Sequence, residues 1–290
     1  MSSVSDVAGP QVVLAGWAIR ELLRRRVFVI VALLTAGFIA LFALGCHVAF
    51  GQLDEGRPVG AVDAHEFAGA TLCGLGLFAI LFLGSVLASF LTLSSVRGDA
   101  EHGLLQPLVV RPVGRAQVVV SRWLAAAAVC TVYVAVVYTA VLLVLRITGD
   151  WTPDRLVGPG VRLAFAVAML AAICVLGSVF LTATANGIAT FMVLGCGLFA
   201  GLLGQVGHGI GNHGLEHAAH IISWALPFEA LYQDGLARTT ADQGGITGFL
   251  VQLGPLGGGT PAGRLLLPFA VGYLVLVLIA AAVATGRRDL

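Results

Sequence analysis

No lysine occurs anywhere in the 290 residues; all 16 basic side chains are arginine. A nucleotide-binding P-loop needs a lysine to reach the phosphates, and no GxxxxGK[ST] spacing is present. Charge of either sign is scarce, at 11% of the chain, against about 25% in an ordinary soluble domain. None of the 15 acidic residues lies in the middle of a long apolar run. Transporters driven by ion gradients ordinarily keep a carboxylate or histidine there to carry the ion, so the sequence gives that mode of energy supply no support. The five cysteines (Cys46, Cys73, Cys130, Cys174 and Cys196) include no CxxC pair, and no redox chemistry follows from them. Any uphill movement by this chain must draw its energy from another polypeptide.

What fills the sequence instead is hydrophobic: 58% apolar residues and a mean hydropathy of +0.97. Hydrocarbon about 30 Å thick calls for about 20 apolar residues per helix. Charge-free runs at 27–53, 67–96, 123–145, 163–215 and 265–286 are long enough to span. The fourth is 53 residues long, and the polar break from Thr182 to Gly187 divides it in two. The pattern predicts six helices near 27–49, 70–96, 122–145, 162–182, 187–206 and 265–285, in one all-α integral membrane domain over 1–290. The first run reads as a true span. It exceeds a signal-peptide core, follows a 26-residue polar lead, and lacks a small-x-small cleavage site before Asp54.

Arginine also sets the expected orientation. With both termini in the cytoplasm, the inner segments hold ten arginines against five acidic residues, and the outer segments six against ten. The balance is +5 inside and −4 outside, with Arg146, Arg155 and Arg162 weighing against it in the second outer loop. Cys46 and Cys73 both fall toward the outer leaflet, where they could pair, although five free buried thiols is the simpler reading. Glycine is concentrated in the spans, and Gly197-x-x-x-Gly201 has the spacing of a close-packing face. Such a face serves either a dimer seam or packing within one subunit.

Ahead of the first span, Val12, Ile19, Leu22 and Leu23 share one helical face while Glu21, Arg24 and Arg25 point away. Together with Arg20 and Arg26 they predict a basic interfacial helix over 1–26 along the inner membrane surface, or simply a set of topology anchors. The segment 207–264 lies outside yet is not hydrophilic: Ile221, Trp224, Phe228 and Tyr232 flank Pro227. It is too short and broken to span, which predicts re-entrant half-helices followed by a Gly- and Pro-rich loop. Here His213-x-x-Glu216-His217 matches the inverted zinc-peptidase pattern, with His220 one turn further. In that chemistry the two histidines hold zinc and the glutamate activates water. Such peptidases are soluble and need another acidic ligand, and Gly209, Gly211 and Gly214 weaken the helix start. Solvated side chains are the plainer reading, and no metal is assigned.

Between the second and third spans, residues 97–123 read RGDAEHGLLQPLVVRPVGRAQVVVSRW, with six charges between runs that have none. A charge at the centre of a span costs about 2.5–3.5 kcal/mol even on lenient insertion scales, so this island belongs at a membrane surface. Gly98 and Gly103 end the preceding helix, and Pro107 and Pro112 prevent a continuous one. Leu104, Leu105, Leu108 and Val109 form an apolar knob ringed by Glu101, Arg111 and Arg115. An apolar anchor with a charged rim suits a protein–protein contact; the alternative is a solvated turn.

The island resembles the loop between the second and third helices of the six-helix export permeases of the ABC superfamily, the type V or second export class. In that family an acidic residue and a glycine, a Leu-rich turn and an Arg-Pro step precede the third helix. They stand here as Glu101, Gly103, Leu104-Leu105 and Arg111-Pro112, followed by Arg115. The likeness continues in order through the N-terminal run 20–26, Leu226-Pro227-Phe228 and the terminal Arg287-Arg288-Asp289-Leu290. The N-terminal run looks most like the permeases linked to maturation of multicopper enzymes. The resemblance implies a permease subunit with no catalytic residue and no cofactor of its own. It implies a second permease copy or paralogue, a cell (cytoplasmic) membrane location, and separate cytoplasmic ABC ATPases carrying ATP and Mg. Coupling would run through the loop 97–121, and the function implied is ATP-driven translocation or extrusion. Two other readings are a non-transporting subunit that relays ATPase strokes to an outer partner and a metal-dependent membrane hydrolase at 213–217. The lipid bilayer is a partner; nucleic acid is not.

Overall fold

The computed structural model is described over residues 26–54, 64–92, 115–211, 213–239, 259 and 261–287. In chain order the helices are α1 (Arg26–Asp54), α2 (Ala64–Thr92), α3 (Arg115–Gly149), α4 (Val157–Phe180), α5 (Ala183–Ile210), α6 (His213–Ala225), α7 (Pro227–Ala237) and α8 (Leu266–Arg287). No strand occurs among the described residues. Six helices, all but α6 and α7, are long and apolar enough to cross a membrane. The protein is an all-α, multi-pass integral membrane protein.

The expected helix centres hold, and most ends run longer, although α4 stops at Phe180, short of the expected 182. The largest difference is α3, which begins at Arg115 where the sequence suggested 122. At 35 residues it is about 52 Å long by the helical rise, well beyond the hydrocarbon thickness of about 30 Å, so it has length to spare for turns outside the hydrocarbon. Arg115 and Arg122 therefore cost little, because a helix does not stop where the bilayer does. Local chemistry sets other boundaries. Asp150, at φ 47°, ends α3 in the left-handed conformation, with its N–H on Arg146 O at 3.1 Å, a common C-terminal cap. Gly211, at φ 66°, turns the chain between α5 and α6.

Helices α2 and α4 form the centre. The spanning window of each is 61% and 67% buried, against 22%, 22% and 28% for α1, α5 and α8. The central helices approach closely through small residues: a Cβ at Gly84 would stand 2.9 Å from Val167, and one at Gly76 would stand 2.6 Å from Val141 of α3. This is how helices associate when lipid is as apolar as their side chains. The peripheral helices turn Leu33, Leu41, Met192, Phe199 and Leu276 outward.

The helices alternate in direction, which gives the bundle two ends. One gathers the start of α2, the ends of α1 and α3, the start of α4, and α7. There Trp151 is wedged over Gly69 and donates Nε1–H to Glu66 Oε2 at 2.8 Å, and Phe50 stacks with His65. The other end gathers the ends of α2, α4 and α8 with the starts of α3 and α5. At that end the buried Asn186 reaches into α4 over Gly177 and donates Nδ2–H to Cys174 O at 2.9 Å. The polar break seen in the sequence is thus a fixed hairpin. All five cysteines are free, so Cys46 and Cys73 form no disulfide.

Candidate functional site

The segment expected as two half-helices forms α6 and α7, joined at Pro227. Proline is accommodated at the first helical position because its missing N–H would have no partner there, and Leu226 turns the chain before it. Eleven residues would ordinarily give a marginal surface helix. Instead nearly all of α7 is buried, including Phe228 and Leu231, each at 0% exposure. Two carboxylates are buried with it, Glu229 at 0% and Asp234 at 2%. In an eleven-residue helix these are the side chains most in need of an explanation, since buried charge requires partners.

Asp234 has them. Its Oδ2 accepts from Nε of Arg162 on α4 and, at 3.0 Å, from Nε of Arg238. Its Oδ1 accepts the backbone N–H of Ala262 at 3.0 Å. Arg162 also donates Nη1–H to Gly158 O at 3.1 Å. One carboxylate therefore ties together α4, α7 and the segment leading into α8. Charge-assisted bonds of this kind, with the lone pairs filled, are what a buried ion pair needs to hold.

Glu229 does not. It faces α5, whose Gly197 and Gly201 leave a groove that admits it: a Cβ at Gly197 would stand 2.6 Å from Phe228 and 3.4 Å from Glu229 Cβ. One at Gly201 would fall on the Glu229 carboxyl and the Gln233 amide. The two readings of the Gly197-x-x-x-Gly201 face separate here, because the face packs α7 of the same chain. The Ser223 hydroxyl of α6 donates to Glu229 Oε2. Oε1 has no hydrogen bond of normal geometry among the described residues. Burial raises the carboxyl's affinity for a proton above the ordinary range, opposed by the hydroxyl of Ser223 and the amide of Gln233.

The other residues marked in the sequence lie apart from this pair. His213 opens α6, and His217 and His220 follow on it. His220 Nε2 accepts the Trp224 indole N–H at 2.9 Å, and Trp224 packs edge-on to Phe269 of α8. Among the described residues no group of three or more histidine, cysteine or acidic side chains is placed to hold a metal. Glu216 lies on the same helix. Arg26 and Arg115 are the first residues of α1 and α3. Arg20, Glu21, Arg24 and Arg25 lie outside the described residues, as do Glu101, Gly103, Leu104, Leu105, Arg111 and Pro112.

A family model described as "ABC-2 family transporter protein" matches residues 14–290, nearly the whole chain. The chain belongs to the ABC-2 family. No curated protein matches it. ABC-2 chains are the membrane components of ATP-binding cassette transporters, not catalytic themselves, and they partner with an ATP-binding subunit. That assignment accounts for the six spans: this is a permease subunit of an ABC transporter. Glu229 and Asp234 were not recognised in the sequence, where a carboxylate between two spans reads as solvated. The available signal was their spacing inside an otherwise apolar segment, and the surplus Arg162 in a loop that already strained the charge rule.

Proposed function

We propose that this ABC-2 permease is the membrane half of a type V exporter, coupled to a separate cytoplasmic ATPase through the loop that joins α2 to α3. The observation that carries this reading is the family match over residues 14–290 in a chain whose sequence holds no P-loop. The arginine distribution supports placing both termini and that loop in the cytoplasm, with α6 and α7 on the outer side of a cell membrane. Two permease chains, identical or paralogous, pair with two ATPases that bring ATP and Mg. The N-terminal run supports kinship with the permeases of multicopper-enzyme maturation.

Coupling requires a surface that the ATPase can grip. Leu104 and Leu105 supply an apolar anchor, Glu101, Arg111 and Arg115 a charged rim, and Gly103 and Pro112 the residues that break a continuous helix. The test is to replace Leu104 and Leu105 together with Asp. Neither residue lies in a span, so the variant inserts, and unpaired charge at the contact releases the ATPase on purification. Glu101→Ala leaves the complex assembled and uncouples hydrolysis from transport. Normal assembly and normal transport in both variants would reduce the loop to a solvated turn.

A further inference from the structure

A buried carboxylate with no cation beside it is held in place by something other than charge. Glu229 is fully buried, its polar neighbours among the described residues are the uncharged Ser223 hydroxyl and Gln233 amide, and the groove beneath it is lined by two glycines. A crevice on the α4 side of α7, lined by Leu77, Leu163, Leu231 and Tyr232, is closed to water. The one ligand that fits without moving the helices is a proton.

We propose that Glu229 is a proton-binding site that determines whether α7 stays seated on α5. The seated state carries the carboxylic acid, its Oε2 paired with the Ser223 hydroxyl and its Oε1 against the glycines and the Gln233 amide. A buried neutral acid is far less costly than a buried anion with no cation beside it. Loss of the proton to bulk water breaks only the O–H bond and leaves a carboxylate that the groove cannot solvate. The helix then lifts until water reaches the carboxyl. The site takes one proton per chain, and it is independent of the transported substrate and of which side of the membrane α7 faces.

Among the described residues, no ion pair reaches Glu229. From α5 come Gly197 and Gly201, and from α6 comes Ser223. From α4 comes Arg162, bound to Asp234, which is five residues along α7 and so about 140° around it. Arg238 is bound to the same Asp234, and His220 is turned to Trp224. Within α7 the neighbours are Gln233 and Tyr232, and Tyr232 also lies near Cys73 of α2. The titratable group of α8 nearest mid-helix is Tyr273, neutral in this range.

Two measurements on the purified full-length chain test this. Infrared difference spectra between acidic and alkaline samples should show a protonated-carboxyl band at neutral pH that disappears on alkalisation and is missing from Glu229→Gln. Hydrogen exchange over 227–237, corrected for intrinsic base catalysis, should rise about tenfold or more as that band is lost, while Glu229→Gln stays protected throughout. If Glu229→Gln does not fold, the wild type decides alone: the band and the protection must be lost over the same pH range. A wild type without the band at neutral pH, or with α7 exchange that ignores its loss, overturns the proposal.

Discussion

Asp234 and Glu229 ride on the same short helix five residues apart, both buried, and the chain treats them in opposite ways. Asp234 meets two guanidinium groups and a backbone N–H; Glu229 meets a hydroxyl, an amide and two glycines. On the α4 side, charge is matched and the contact is a fixed tie. On the α5 side, space is matched while charge is not, and the contact depends on keeping the carboxyl neutral. Burial alone therefore does not say what a carboxylate is for; the groups opposite it do.

The comparison can be broken at its charged face first. Asp234→Asn leaves Arg162 buried without its counter-ion and should cost about 3–5 kcal/mol, read as a large fall in detergent melting temperature. Gly197→Ala comes next, at about 1–3 kcal/mol for overpacking, because the added carbon would press on Phe228, which is buried at 0% exposure. Its loss of protection in hydrogen exchange should be confined to α6 and α7.

Glu229→Gln should change stability at neutral pH by less than about 1 kcal/mol and change its pH dependence more. The carboxyl's affinity for protons is higher folded than unfolded, so the stability it contributes is full below the unfolded pKa, about 4.3. That contribution is lost as pH rises through the raised folded value. Melting temperature should therefore fall with rising pH in the wild type, and the variant should lack that part of the slope. Equal pH profiles would erase the distinction between the two faces. Arg238→Gln should matter least, about 1 kcal/mol or below, because its side chain is 38% exposed while Arg162 keeps Asp234 paired.

Most of the fold was legible because apolar run length is a direct record of bilayer thickness. The break at Thr182–Gly187 located the α4–α5 hairpin, and Pro227 divided α6 from α7, since each residue type acts through local backbone chemistry. What could not be read was the pairing of distant residues. Arg162 and Asp234 are 72 positions apart, and in the sequence Arg162 counted only as a charge on the unexpected side. Its place beside Asp234 accounts for it. Gly197 and Gly201 announced a close approach without naming the partner, and helix spacing cannot tell a neighbour in the same chain from one in another. The residues assigned to ATPase coupling lie outside the described residues, apart from Arg115, and rest on sequence and family alone.

The orientation of that loop is the point on which the account of energy supply stands, and it can be measured without knowing the substrate. In a background with the five native cysteines replaced, Gly103→Cys, Asn212→Cys and Gly245→Cys are treated in intact cells with a membrane-impermeant maleimide. Asn212→Cys and Gly245→Cys should label directly, and Gly103→Cys only after the membrane is opened. Labelling of Gly103→Cys in intact cells would put the loop beyond reach of a cytoplasmic ATPase and contradict the coupling scheme.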